Sequence, residues 1–199
     1  MKTHHTYNIS RMRTNLRKLW DSHVDEESHY YGYYWYRVAN EWCNTIAARY
    51  SVSPKVIAGI AAALSPGVAW EINKKDAEQL VRYLCGELGY EPTVSTYYAN
   101  VRKAMRIWAH GDPELELGGN KTRNFYLCIH NPYDEYAVCI DRHAVKAARG
   151  MKKGGGVAMT DKQYGLTSEA YRLEAKSLGL RPMELQAILW GAYKNKVGR

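Results

Sequence analysis

The residues best suited to chemistry in this chain lie within one stretch, LELGGNKTRNFYLCIHNPYDEYAVCIDRH, which runs from Leu115 to His143. Lys121 follows a pair of glycines, and Asp141 follows a short apolar run, Ala137, Val138, Cys139 and Ile140. A lysine attacks an electrophilic carbon only as the neutral amine, which burial or nearby cations such as Arg123 or Arg142 would favour. A carboxylate in a low-dielectric pocket stabilises developing positive charge and activates an incoming water or amine. Each residue also has a plainer reading. Lys121 suits a contact to phosphate, and Asp141 suits the N-cap of a helix that begins near His143.

The glycines add a second chemistry. Gly118 and Gly119 can adopt backbone angles closed to other residues, while Asn120, Lys121 and Thr122 place N–H groups at the positive end of a helix dipole. An anion such as phosphate fits there, and so does an ordinary turn with a glycine kink. His143 is a structural or phosphate-contacting histidine, because a lone histidine does not define a catalyst.

The segment Leu115 to Leu127 resembles the hairpin of the helix-hairpin-helix DNA glycosylase superfamily, endonuclease III type. That hairpin reads L-P-G-V-G-x-K-T-A-N followed by apolar residues, and Leu115, Gly119, Lys121, Thr122 and Asn124 match it. The superfamily continues with a short apolar run and V-D-T-H, where this chain has Cys139-Ile140-Asp141-Arg142-His143. The positions of the superfamily's proline and first glycine hold Glu116 and Leu117 instead, and Pro113 leaves room for only a stub of the preceding helix. Further likeness lies in Leu64-Ser65 and Asn73-Lys74, which resemble an apolar helix ending L-L-S before N-K. The last helix, through Leu185, Gly191 and Tyr193, is similar to the superfamily's L-x-G-R-Y helix.

The resemblance implies a specific site. Asp141 would be the catalytic carboxylate, and Lys121 the nucleophile that bifunctional members use. Gly118, Gly119, Asn120, Thr122, Arg123, Arg142 and His143 would contact DNA, and Ser65, Trp70 and Asn73 would rim the pocket for an extruded nucleotide. A plain interhelical turn explains Ser65-Pro66-Gly67 equally well. The implied activity is a DNA base-excision enzyme: an N-glycosylase, with or without AP lyase activity, that flips a modified or damaged base and cleaves its glycosidic bond. Two alternatives remain: an enzyme that modifies thymine-derived bases in bacteriophage DNA on the same fold, or a non-catalytic helix-hairpin-helix DNA-binding protein. Many relatives hold an iron–sulfur cluster on C-terminal cysteines. Here Cys43, Cys85, Cys128 and Cys139 are scattered without a CxxC pair, so no cluster, metal or other cofactor is expected.

Helix-period segments cover most of the chain, and no alternating run exceeds a few residues. The expected fold is all-α, a two-lobed helical bundle with a helix-hairpin-helix motif and little or no sheet. Any strand is confined to residues near Tyr136 to Ile140. One compact domain of 199 residues would comprise lobe A, about residues 51–135 with the hairpin at 115–127, and lobe B, about residues 1–50 plus 136–199. Arg11, Arg13, Arg17 and Lys18 lie around Met12, Leu16 and Trp20, giving an amphipathic helix with a basic face. Tyr31, Trp35, Val38, Trp42, Ile46 and Tyr50 recur at helical spacing as a buried stripe, with Tyr33 and Tyr34 exposed. After Ser51 or Ser53 as cap and Pro54 at the helix start, Lys55 to Leu64 reads as the central buried helix. Helices are further expected from Trp70, over Tyr97 to His110, His143 to Arg149, Ser168 to Leu178 and Pro182 to Lys196, with residues 151–165 a loop.

Composition narrows the partners. With 46% apolar residues the chain is globular, and it contains no long apolar run of the kind that spans a membrane. The net charge of +8 favours an acidic partner, for which the default is nucleic acid, and the resemblance implies double-stranded DNA. The scattered thiols and the polar N-terminal residues suit a monomer in the cytoplasm.

Overall fold

The computed structural model describes residues 7–151 and 158–197. Every regular element among them is helical: α1 (Ile9–His23), α2 (Glu26–Tyr50), α3 (Pro54–Leu64), α4 (Trp70–Leu84), α5 (Tyr98–His110), α6 (Pro113–Glu116), α7 (Asn120–His130), α8 (Arg142–Ala148), α9 (Asp161–Ser177) and α10 (Pro182–Val197). The fold is thus all-α, with no strand among the described residues. No helix among them is long and apolar enough to cross a membrane.

Two compact units divide the chain. One comprises residues 1–36 and 132–199, and the other residues 37–131. α2 runs unbroken to Tyr50, and the division falls within this helix, after Tyr36. The return crossing comes after Asn131.

In the discontinuous unit, α1 packs on α8, α9 and α10. Met12, Leu16 and Leu19 of α1 meet Ala144, Val145 and Ala148 of α8, Tyr164, Tyr171 and Ala175 of α9, and Leu185 and Leu189 of α10 in one core. The basic face of α1 is partly spent inside this unit. Glu174 of α9 is 3% exposed and accepts from Arg13 Nε at 3.1 Å and Arg17 Nε at 2.6 Å. A buried carboxylate is tolerated only with such partners, so these two arginines are structural.

The buried stripe of α2 lies one residue away from the aromatic series read from the sequence. Tyr31 and Val38 are 65% and 57% exposed, whereas Gly32, Tyr36, Ala39, Cys43, Ile46 and Ala47 are buried. The cause is close approach. A Cβ on Gly32 would sit 2.4 Å from the backbone N and Cα of Ile188 in α10, so only glycine fits. Four residues on, Tyr36 donates its hydroxyl to Gln186 Oε1 at 2.7 Å. Of the pair expected to be exposed, Tyr34 is exposed and Tyr33 half-buried.

In the continuous unit, α3 is the hub. It packs on α4, α5, α6 and α7, and every residue from Val56 to Leu64 is buried. Ser53 is its N-cap residue and Pro54 its first, as the pattern predicts, although the Ser53 side chain makes no cap bond. Alanine and glycine along α3 permit this density: Gly59 lies against Pro113 of α6.

α9 starts earlier than expected. Thr160 accepts from Gln163 N–H, and the Gln163 side chain accepts from Thr160 N–H, closing a capping box. The helix therefore opens at Asp161 rather than Ser168, and part of the expected 151–165 loop is its first turn. Residues 152–157 of that loop lie outside the described residues.

Replacing Gly32 by alanine should destabilise the protein by about 1–3 kcal/mol through overpacking against α10. Urea denaturation of Gly32→Ala checks this; an unchanged midpoint would show that the α2–α10 contact yields.

Candidate functional site

Asp141 belongs to the discontinuous unit and is held by an unusual approach. The preceding residues, Ala137 to Ile140, are all buried yet make no strand. Their backbone is met by side chains of α9. The Tyr164 hydroxyl donates to Val138 O at 3.0 Å and accepts from Ile140 N–H at 3.1 Å, and Arg172 Nε donates to Tyr136 O at 2.9 Å. One turn of α8 past Asp141, the buried Tyr171 hydroxyl donates to Ala144 O at 3.0 Å. Burial and, to a lesser degree, the Asp141 carboxylate push the Tyr171 hydroxyl well up, so it stays a donor.

The carboxylate itself has two sides. Oδ1 accepts from His143 N–H at 2.9 Å and Ala144 N–H at 2.8 Å, the N-cap bonds of α8. Oδ2 faces His143 Nδ1 at 3.2 Å and accepts from Trp190 Nε1 of α10 at 3.3 Å. The side chain is 20% exposed and that of His143 24%. Capping and the second set of contacts thus coexist, with one oxygen for each. An ionised carboxylate accepts at both oxygens, and this arrangement supplies donors to both.

Around it stand residues that the sequence reading did not single out for this site. His143 meets Trp190 edge-to-face at 5.9 Å and Tyr193 at 6.2 Å, and Lys194 Nζ lies 3.9 Å from the centre of a Trp190 ring. Nothing local ties Trp190 to Asp141, since 49 residues separate them. Arg142 is exposed on the first turn of α8. It shares one helix face with Lys146 and Arg149 by their spacing of four and three, so a basic stripe leads away from the carboxylate. Arg149 is engaged by Tyr7, its guanidinium 4.9 Å from the ring.

Lys121 belongs to the continuous unit. α5 stops at Gly111 (φ +69°), the four-residue α6 follows, and Gly119 at φ +79° turns the chain into α7. That left-handed angle explains the glycine at 119. Gly118 and Gly119 are exposed, as is Lys121, while Asn120 and Thr122 are half-buried. Arg123, exposed, pairs with Glu114 at 3.3 Å. Asn124 Nδ2 donates to Asn120 O at 2.8 Å and braces the first turn.

The three residues expected at a pocket rim separate by role within this unit. Ser65 caps α3 by donating its hydroxyl to Ala62 O at 2.9 Å. Trp70 is half-buried and meets Trp42 of α2 at 5.7 Å and Phe125 of α7 at 6.2 Å, both edge-to-face. Asn73 is 1% exposed and donates Nδ2 to Ala61 O at 3.1 Å, tying α4 to α3. Its register on α4 faces the hub helix.

The cysteines are free thiols. Cys43, Cys128 and Cys139 are buried and Cys85 is exposed, with Cys43 pushed up to about 12 by burial. No group of three or more His, Cys, Asp or Glu among the described residues is placed to hold a metal ion.

The Tyr164 bridge yields a ranking. Tyr164→Phe takes a partner from two buried backbone groups of a segment that makes no strand and should cost about 2–4 kcal/mol, whereas Tyr171→Phe leaves Ala144 O within the α8 helix and should cost about half as much or less. Urea denaturation of both variants checks the order, and equal losses would remove the bridge's special role.

No curated protein and no solved structure matches the chain. A family model matches residues 1–197, and the chain belongs to that family, which is described as a family of unknown function (DUF7178).

Proposed function

We propose that this protein acts on double-stranded DNA as a base-excision enzyme, an N-glycosylase that flips a modified or damaged base and breaks its glycosidic bond. The observation that carries the reading is the divided Asp141 carboxylate. Oδ1 is committed to the helix cap, and Oδ2 is held between Trp190 and His143 in a partly exposed setting. A carboxylate fixed in this way is preorganised, so it loses little in reorganisation when positive charge develops nearby.

In this reading the departing base leaves positive charge on the deoxyribose, and Asp141 stabilises that charge while activating water or an amine. Extruding a nucleotide costs a few kcal/mol of stacking and pairing, which contacts to phosphate must offset. The basic stripe of Arg142 and Lys146 on α8 suits this role, as does the glycine turn before Lys121. The net charge of +8 supports a nucleic-acid partner on electrostatic grounds. Lys121 selects the mechanism: as nucleophile it forms a covalent imine with the sugar and confers AP lyase activity, and as phosphate contact it does not. The proposed setting is a single copy acting on DNA in the cytoplasm.

The test uses oligonucleotide duplexes that carry a panel of damaged and modified bases, with strand scission by hot alkali as readout. Asp141→Asn should lose base release by at least a hundredfold and still bind duplex as tightly as the natural protein or tighter, since asparagine preserves an N-cap and removes a negative charge. If Lys121 is the nucleophile, borohydride traps a protein–DNA adduct that Lys121→Ala cannot form. Full base release by Asp141→Asn would leave Asp141 as a helix cap alone and overturn the proposal.

A further inference from the structure

The continuous unit buries one large aromatic side chain, Tyr126, and leaves the others half-buried or exposed. Its interior is closed by aliphatic residues and one tyrosine: Ile57, Ile60, Leu64, Leu80, Ile107, Tyr126 and Ile129 are all at 0% exposure. Trp42, Trp70 and Phe125 stand outside that core. They come from three different helices, α2, α4 and α7, they touch one another in sequence edge to face, and all three remain half-buried. Rings recruited only for packing gain most by full burial, because each has roughly 150–250 Å² to hide. Here three such rings, in contact with one another, stop short of it.

Two lysines lie one helical turn from these rings. Lys121 precedes Phe125 by one turn of α7, and aromatic side chains on a helix lean toward its N-terminus, so the Phe125 ring is inclined toward the turn that carries Lys121. Lys74 follows Trp70 by one turn of α4, and its Nζ lies 5.9 Å from the centre of a Trp70 ring. Lys74 also pairs with Glu71 at 3.0 Å, and Glu71 is 79% exposed, so that pair is a weak, solvent-screened one that an incoming phosphate can replace.

We propose that Trp42, Trp70 and Phe125 form a stacking platform for one unpaired nucleobase of a DNA strand, with Lys121 and Lys74 contacting the phosphates on either side of it. Aromatic faces bordered by lysines match the two recurring features of a nucleic-acid strand, a π-face on each base and a negative charge between neighbours. Stacking of this kind tolerates any base, so the platform supplies affinity for unpaired character rather than for sequence. The inference rests on the nucleic-acid reading above, but it concerns residues 37–131 only and requires no base release.

The experiment is fluorescence anisotropy with a labelled single-stranded oligonucleotide and with the matching fully paired duplex, using the full chain. Trp70→Ala and Phe125→Ala should each weaken single-strand binding by about tenfold, while duplex binding falls less and Trp70→Phe retains most of the affinity. A second readout guards against loss of folding in the alanine variants. Tryptophan emission of the natural protein should be quenched by the single strand, and Trp70→Phe, which keeps the ring, should lose much of that quenching. Single-strand affinity unchanged in both alanine variants, or quenching undiminished in Trp70→Phe, overturns the platform. Those outcomes leave the excision reading untouched if Asp141-dependent base release is found. Conversely, loss of single-strand affinity in the platform variants, with no base released from any duplex, keeps the platform and removes the excision reading.

Discussion

The constraint on which the Asp141 site depends is the satisfaction of a buried backbone by side chains. Residues 137–140 run through the interior of the discontinuous unit without a neighbouring strand, and buried amide and carbonyl groups left alone there are costly. α9 solves this with one side chain and braces the flanking residues with two more. Tyr164 serves both Val138 and Ile140 through one hydroxyl, while Tyr171 and Arg172, about two turns later, hold Ala144 and Tyr136. The carboxylate therefore stands on a segment clamped on both sides by one helix. The clamp also ends the apolar run at the point where a polar residue is needed, because Asp141 must provide the cap that α8 lacks.

This arrangement separates two demands that usually compete. An N-cap carboxylate is commonly consumed by the helix it caps. In Asp141 the two α8 amides share Oδ1, and Oδ2 belongs to a second environment of indole, imidazole and, across the indole, an ammonium group. The same side chain can therefore be a structural element and a chemical one. The continuous unit shows a parallel economy in α7: the glycine that starts the helix at positive φ presents Lys121 on its first turn, and Phe125 on the next turn joins the Trp42–Trp70 cluster.

Much of the fold is legible in the sequence. Lys55 to Leu64 is apolar almost all round and becomes the hub α3; Gly111 and Pro113 end α5 where they stand. Asp141 reads as a helix cap and is one. The misreadings share a physical origin. On α2 the aromatic residues have the right spacing but the wrong face, because the contact with α10 is made by the smallest residue, Gly32, and hydrophobic size points to its neighbours. The start of α9 was hidden because Thr160 and Gln163 carry the signal through reciprocal polar bonds, in a stretch that composition marks as loop. Trp190, Tyr164 and Tyr171 touch the Asp141 region from far along the chain, so no local pattern predicts them. Asn73 is a polar residue in an interior position, which burial alone reveals.

Whether Asp141 stabilises positive charge on a sugar decides between a chemical role and a helix cap alone. Its most direct measure is the affinity of the protein for two duplexes that differ at one site: an abasic analogue with a pyrrolidine ring, cationic like the transition state, and a neutral tetrahydrofuran analogue of the same shape. An enzyme complementary to its transition state binds the charged mimic more tightly. The expected result is a preference of at least tenfold for the cationic ring that disappears in Asp141→Asn. Equal affinity for the two rings, or a preference that survives the substitution, would contradict the role assigned to this carboxylate.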